Sequence, residues 1–225
     1  MKVFKSRTNW PFFIMAALIS ACHSGAKKQS RVDTLPYFCE ATFTPHWLAP
    51  DDAALDTFHR ISSFQLIDQD GDTITEKDFA GKIYIADFFF TICPGICPKM
   101  TNNMAVLQEA FLENDQILLL SHSVMPEYDS VAVLKKYANE KGVQSGKWHL
   151  VTGDEQQIYR LGRRDYFVEE DLGLNKEESD FLHTENFVLI DRNRHIRGIY
   201  NGLNTASILQ LIADVKTLQK ENRQM

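Results

Sequence analysis

The chain has 225 residues, 44% of them apolar, which suits one globular domain with a hydrophobic core and argues against a fibrous or wholly disordered protein. Its 30 acidic residues outnumber its 24 basic ones, and no basic stripe interleaved with aromatic side chains is present. The composition therefore argues against a nucleic-acid partner and favours cationic partners or metal ions.

The first residues are typical of an export signal. Three basic residues precede an apolar run over residues 12–19, which is shorter than the roughly 20 residues that span a bilayer. Small residues then precede Cys22, an order that resembles the lipobox of bacterial lipoproteins, in which the cysteine is lipidated. We therefore predict a lipoprotein-type signal peptide at 1–21, lipidation of Cys22 and a membrane-anchored periplasmic protein of the bacterial cell envelope. The alternative is an ordinary signal peptide that leaves Cys22 as a free thiol.

The segments after the signal differ in composition. Residues 22–33 are polar and contain almost no large apolar side chains, which predicts a flexible tether. We assign residues 34–63 to an N-terminal extension and residues 64–225 to one folded domain. Removal of the signal leaves 21 basic residues against 30 acidic ones, so the exported chain has a net charge of −9.

Hydrophobic periodicity predicts the elements of the folded domain in chain order. Alternating apolar and polar residues around a polar turn predict a β-hairpin over residues 64–75. Runs that are apolar on both faces predict buried central strands. The predicted strands after the hairpin are 82–90, 117–121, 149–152, 186–191 and 196–200. The predicted helices are about 97–114, 130–141, 155–163 and 205–220.

Strands that alternate with helices and end in a β-β-α unit predict an α/β layer fold. The order is compatible with a thioredoxin-like fold that carries an N-terminal β-hairpin extension. Periodicity by itself also fits a flavodoxin-like sheet.

Two cysteines lie at the predicted turn between the strand at 82–90 and the helix after it. Pro98 fits only the first turn of a helix, so the helix begins near Cys97, which a spacer of three residues separates from Cys93. Ligands bind beyond the carboxyl ends of strands in open α/β sheets, which makes this turn a candidate site. A helix N-terminus stabilises an anion, so we expect thiolate character at Cys97.

Cys93 and Cys97 can chelate one metal ion or act as a redox pair that closes a disulfide. A permanent disulfide is the structural alternative, but so short a loop adds little stability. Two thiolates are soft ligands and select soft metals such as Cu(I). Copper commonly takes a histidine as the third ligand of such a pair, and this ligand has to come from elsewhere in the chain.

Two of the seven histidines are candidates for the third ligand. His183 precedes the predicted strand at 186–191, and His122 follows the one at 117–121, so both are expected near the carboxyl edge of the sheet. We favour His183 and retain His122. The others are expected to be surface or packing residues, with His195 in an exposed turn.

The Cys-Pro-x-x-Cys-Pro motif after an aromatic-rich strand, with a histidine before a strand ending in Ile-Asp, resembles the Sco/SenC family. The family contains membrane-anchored copper proteins that assist assembly of the dicopper site of cytochrome c oxidase. The resemblance implies copper, as Cu(I) or Cu(II), bound by Cys93, Cys97 and His183. It implies a metallochaperone without turnover whose partner is the copper-containing subunit of a terminal oxidase. The alternative is a thiol–disulfide reductase that uses Cys93 and Cys97.

Some residues depart from the family pattern or lie outside it. Met125 stands where the family usually has an acidic residue, whereas Asp129 of the same segment is retained. Cys39 has no counterpart, and it is open whether it is a free thiol, a resolving partner in exchange with another protein or a buried small residue. A peroxiredoxin-type site is disfavoured because Phe90 stands three residues before Cys93, where such sites have threonine.

Overall fold

The computed structural model describes residues 1, 29–168, 182 and 184–221. Within these ranges the strands are β1 (Gln65–Asp68), β2 (Thr73–Thr75), β3 (Ile83–Phe89), β4 (Ile117–Ser123), β5 (Trp148–Thr152), β6 (Asn186–Ile190) and β7 (Ile196–Asn201). The α-helices are α1 (Cys97–Ala110), α2 (Val131–Lys141), α3 (Glu155–Arg160) and α4 (Thr205–Glu221).

The described strands form one seven-stranded sheet in the order β2-β1-β5-β4-β3-β6-β7. The central strands β3, β4 and β5 pair in parallel, and the hairpin β1–β2 and the strands β6 and β7 add to them in antiparallel fashion. Each parallel pair is joined through a helix, as the alternating pattern of the sequence predicts. The predicted α/β architecture with its N-terminal hairpin is therefore observed.

The strand β3 lies inside the sheet, between β4 and β6, and is buried on both faces. Ile83, Ile85 and Phe89 point into a core shared with α1, α2 and α4. Tyr84 and Phe88 point to the opposite face, into a second core that includes residues of α3. Because successive side chains of a strand alternate between faces, this register decides which polar groups lie on the same side as the cysteines.

The helix boundaries follow capping residues. The Ser130 hydroxyl accepts a hydrogen bond from the backbone N–H of Val133 at 3.4 Å, and Gly142 ends α2 in the left-handed conformation with φ of 71°. The Asp154 carboxylate accepts from the backbone N–H of Gln157 at 2.7 Å and caps the start of α3. The helix α3 ends at Arg160, earlier than predicted, because the backbone widens into one π-helical turn, Leu161–Asp165.

The prediction that His195 lies in an exposed turn is wrong, because its side chain is 1% exposed. The N-terminal extension covers it. The rings of Tyr37 and Phe58 lie edge-on to the imidazole, with centroids at 5.6 and 6.0 Å, and His195 Nδ1 lies 2.8 Å from the His59 carbonyl oxygen. The hairpin sequence around His195 is polar, so only the packing of the extension reveals that the residue is buried.

One buried arginine ties the N-terminal extension to two other parts of the domain. The Arg197 guanidinium donates to the Leu35 and Pro36 carbonyl oxygens, at 2.7 and 3.1 Å. It also donates to the carboxylates of Asp191 and Glu221, at 3.3 and 2.7 Å. Because these partners come from the extension, the β6–β7 turn and α4, the charge is satisfied only when all three meet.

The predicted signal peptide, Cys22 and most of the predicted tether lie outside the described residues. Among the helices of the described ranges, none is long and apolar enough to cross a bilayer.

Candidate metal centre

The two cysteines lie together beyond the carboxyl end of β3. Cys97 is the first residue of α1, as Pro98 predicted, and only 5% of its surface is exposed. Cys93 is partly exposed, and its thiol is hydrogen-bonded to that of Cys97. A Cβ atom placed on Gly95 would lie 3.9 Å from Cys93 Sγ, so the Cys93 side chain folds back across the turn towards the helix.

The pKa values of the two thiols are shifted in opposite directions. Burial raises the pKa of Cys93, but hydrogen bonds from the Cys97 thiol and from the backbone N–H groups of Cys97, Gly95 and Ile96 outweigh it, and the net pKa lies below the ordinary value. Burial, together with the hydrogen bond to Cys93, raises the pKa of Cys97 to about 12. The expectation of a thiolate at Cys97 is therefore wrong, because the free N–H groups at the start of α1 serve the sulfur of Cys93.

The turn before Cys93 is braced by a buried carboxylate that sequence analysis did not connect to it. Asp129 is fully buried and accepts hydrogen bonds from the Thr91 backbone N–H at 3.2 Å and from the Thr91 hydroxyl. It also accepts from the Ser123 hydroxyl at 2.6 Å. Asp129 thus ties the segment around Met125 to the turn, which is a positioning role that needs no acidic residue at position 125.

A second buried carboxyl lies on the same face of the sheet as Cys97. The Ser121 hydroxyl donates to Asp87 in β3, and Trp148 Nε1 donates to the Ser121 hydroxyl at 2.8 Å. Burial raises the pKa of Asp87 to about 7. Asp87 in turn adds to the rise in the pKa of Cys97. The sequence signal for this group is an acidic residue inside an otherwise apolar strand.

The structure removes His122 as the alternative third ligand. The strand β4 continues to Ser123 and places His122 on the face opposite Cys97, stacked on Phe88 with ring centroids 4.7 Å apart. Its side chain is fully buried, and burial lowers its pKa to about 4. The sheet itself separates this imidazole from the two thiols.

His183 lies outside the described residues and stays a prediction as a ligand. Its sequence neighbours Leu182 and Thr184 are buried, at 1% and 7% exposure. A Cβ atom placed on Gly162 would lie 2.6 Å from Leu182 Cδ2 and 3.1 Å from Phe88 Cε1, so Leu182 packs beside the end of β3. Within the described ranges, no group of three or more His, Cys, Asp and Glu side chains is arranged to hold a metal ion.

The difference in exposure and pKa between the two thiols leads to a first prediction. In the reduced protein near neutral pH, iodoacetamide is expected to modify Cys93 roughly ten times faster than Cys97 or more, because Cys93 is more exposed and its thiolate accepts hydrogen bonds. Peptide mass mapping after limited labelling measures the ratio. Cys39 is an internal control, since it is partly exposed but burial and the Glu40 charge raise its pKa. Equal labelling of Cys93 and Cys97 would contradict the conclusion that Cys93 is the more reactive thiol.

Known proteins resemble the chain over this same region. The sequence profile of the SCO1/SenC family matches residues 52–220. A SCO1/SenC family lipoprotein from Bacillus anthracis is 31% identical, with a TM-score of 0.63 over 72% of this chain and 95% of its own. BsSco, a member of the Sco family of cytochrome c oxidase assembly proteins with a disulfide switch, is 28% identical, with a TM-score of 0.60 over 71% and 93%. Copper-bound ScoI from Arabidopsis thaliana is 28% identical, with a TM-score of 0.54 over 73% and 98%.

These similarities confirm the predicted thioredoxin-like α/β fold and decide against the flavodoxin-like alternative. Solved members of the family contain bound copper, and the family takes part in cytochrome c oxidase assembly. The matched region includes Cys93, Cys97 and all seven strands of the described sheet. Because the family profile covers well over half of the sequence, the chain belongs to the SCO1/SenC family.

Proposed function

We propose that this chain is a copper metallochaperone. It binds one copper ion through Cys93, Cys97 and His183 and delivers it to the dicopper site of a respiratory terminal oxidase during assembly. The copper ion is the cargo of the protein, and no turnover is involved.

The observation that carries this proposal is the hydrogen-bonded pair of thiols at the start of α1. Two sulfur atoms in contact with each other are within reach of a single ion, and thiolate sulfur is the ligand that Cu(I) prefers. Both thiols lose their protons when they bind a metal, so binding has to overcome the raised pKa of Cys97. The family resemblance implies His183 as the third ligand, and the matched region of residues 52–220 includes it.

The exposure of the pair suits transfer to another protein. Cys97 is buried, whereas Cys93 is accessible to an incoming ligand from a partner. Two large apolar side chains near the turn, Ile92 and Tyr128, are 49% and 48% exposed. They follow Thr91 and precede Asp129, which are hydrogen-bonded to each other, so both flank the site. A copper-containing oxidase subunit is the partner that this surface would contact.

Attachment to a membrane supports the same role. The order of residues before Cys22 predicts lipidation, and the Bacillus anthracis family member of the same fold is a lipoprotein. A lipidated Cys22 would hold the domain at the membrane on the periplasmic side, where a membrane-bound oxidase presents its copper subunit.

The test is a Cu(I) titration of the full, reduced chain against a competing chelator. Cys22→Ser and Cys39→Ser remove the other two thiols from this background. We expect one tightly bound Cu(I) per chain, its loss in Cys93→Ser or Cys97→Ser, and a roughly 10- to 100-fold weakening in His183→Ala. The matched control is His46→Ala, which should leave the affinity unchanged. Weak binding, or binding that is indifferent to His183→Ala, would contradict the three-ligand site.

A second candidate function is thiol–disulfide reduction of an oxidase subunit or another exported protein. Its support is the contact between the two thiols, the lowered pKa of Cys93 and the disulfide switch of BsSco. Cys93 would attack the substrate disulfide and Cys97 would then release the reduced substrate, so that two thiols become one disulfide and the substrate gains two electrons and two protons.

Reaction of the reduced protein with an oxidised dithiol peptide distinguishes the two functions. A reductase converts peptide disulfide to dithiol stoichiometrically and stalls as a mixed disulfide in Cys97→Ser. Absence of both products, together with tight Cu(I) binding, would leave the chaperone as the function.

A further inference from the structure

Cys39 lies in contact with a histidine, far from the candidate metal centre. Cys39 Sγ is hydrogen-bonded to His46 Nε2 at 3.5 Å, and both residues are partly exposed to solvent. Neither residue takes part in the site proposed above. The sequence analysis left Cys39 without a role, so the pair is an unassigned thiol–imidazole cluster.

The backbone and the packing hold this pair in place. Tyr37 and His46 form an antiparallel bridge, with both backbone N–H···O distances at 2.9 Å. The Tyr37 side chain is buried under the Arg197 guanidinium, 3.9 Å from the ring centroid. The His46 imidazole packs edge-on against Phe58, with ring centroids 5.5 Å apart. The thiol and the imidazole are therefore presented on a small loop whose base is anchored to the domain.

The separation of the two ligand atoms matches that of a shared metal ion. A thiolate sulfur at about 2.3 Å and an imidazole nitrogen at about 2.0 Å from one ion lie roughly 3.5 Å apart at a near-tetrahedral angle. We propose that Cys39 and His46 form a second, labile site for a soft metal cation, of which Cu(I) is the class best suited to one thiolate and one imidazole. This inference does not rest on the function proposed for Cys93 and Cys97.

The second site is spatially separate from the first. Phe38 bridges Ile196, and the register of the sheet leads from Ile196 to Ile190 and then to Tyr84 near the start of β3. Cys93 follows the other end of β3, so the strand alone separates the two sites by roughly 16 Å. Cys39 cannot share a metal ion or a disulfide with Cys93 in this fold.

Two protein ligands leave open positions on the ion. Solvent or a ligand from another protein can occupy them, so the site is expected to exchange its metal readily. On binding, the Cys39 thiol releases its proton to solvent, and the neutral His46 imidazole supplies the lone pair of Nε2. Affinity therefore increases with pH as protons compete less with the metal.

The test uses the full chain with Cys22→Ser, Cys93→Ser and Cys97→Ser, so that Cys39 is the remaining thiol. Under anaerobic conditions, Cu(I) is titrated against a competing chelator. We expect about one Cu(I) per chain, its loss on adding Cys39→Ser, and a weakening of roughly tenfold or more on adding His46→Gln. His59→Gln is the matched control from the same extension and should change nothing.

A second readout, in the same background, does not require substitution of Cys39 or His46. Nitrogen NMR of the histidine rings is expected to show a shift of the His46 signal when Cu(I) is added and none of the His59 signal. An unchanged affinity in His46→Gln, or an unshifted His46 signal with Cu(I) bound, would overturn the proposal because the thiol would then bind alone. Absence of Cu(I) binding by the folded background protein would overturn it as well. None of these results bears on copper at Cys93 and Cys97, which this background lacks.

Discussion

Replacement of Asp87 by asparagine is expected to stabilise the protein by about 2–4 kcal/mol above neutral pH. Asp87 is fully buried, and the only hydrogen-bond partner of its carboxyl group among the described contacts is the Ser121 hydroxyl. Ionisation of a carboxyl in such surroundings is costly, which is why burial raises its pKa from 3.8 to about 7. Asparagine keeps the shape and still accepts the hydrogen bond, but it carries no charge.

The pH dependence of the stability follows from the different protonation of Asp87 in the folded and unfolded chains. Between about pH 4 and pH 7 the unfolded chain has released the Asp87 proton while the folded chain retains it, so this group makes the wild-type protein less stable as pH rises. Above about pH 7 both states are ionised and the loss levels off. Asp87→Asn has no such proton to release, so its free energy of unfolding should not fall for this reason over this range. The difference in free energy of unfolding between Asp87→Asn and the wild type therefore grows from about pH 5 to pH 7 and then stays constant.

Urea denaturation at several pH values between about 5 and 8 measures this difference. Asp154→Asn is the matched control, because it makes the same chemical change at an exposed helix cap where asparagine is equally effective. If the free energies of unfolding of the wild type and Asp87→Asn change with pH in parallel, then the pKa of Asp87 is not raised in the folded protein.

Asp129→Ala is expected to weaken both the fold and the metal centre. The substitution leaves the Thr91 hydroxyl and backbone N–H and the Ser123 hydroxyl without their shared acceptor. Loss of a buried carboxylate that accepts three hydrogen bonds should lower the free energy of unfolding by about 2–4 kcal/mol. Because Thr91 begins the turn that carries Cys93, the affinity for Cu(I) should fall by roughly 10- to 100-fold as well.

Two measurements separate these effects. Urea denaturation reports the stability, and Cu(I) competition at a temperature where the variant is fully folded reports the site. Asp154→Ala is the control, since the loss of this exposed helix cap costs about 1 kcal/mol and its described contact is with the start of α3, so copper affinity should stay unchanged. If Asp129→Ala loses stability but binds copper as the wild type does, then Asp129 does not position the turn.

The sequence predicted well the parts of the fold that depend on local chemistry. Some signals act only on residues adjacent in the chain. They include the apolar run of β3, the proline at the start of α1 and the capping residues of α2. The order of strands and helices and the position of Cys93 and Cys97 at a strand-to-helix turn followed from these signals. The extent of α3 did not, because nothing local marks the π-helical turn that ends it.

The chemistry of the site was harder to predict, because it depends on distant residues. Thr91 and its acceptor Asp129 are 38 positions apart, and only the parallel pairing of β3 with β4 brings their segments together. Sequence reasoning placed the thiolate at Cys97 from the helix dipole. Burial of that sulfur against the core reverses the order of the two pKa values.

By itself, the sequence determined that the protein is an α/β domain with a cysteine pair at the start of a helix, since periodicity and proline act within a few residues. Only the tertiary structure decided that His122 faces away from the thiols, that Cys93 carries the lower pKa and that His195 is buried. The physical reason is that burial, sheet faces and hydrogen-bond acceptors are properties of packed neighbours, and those neighbours are far apart in the chain.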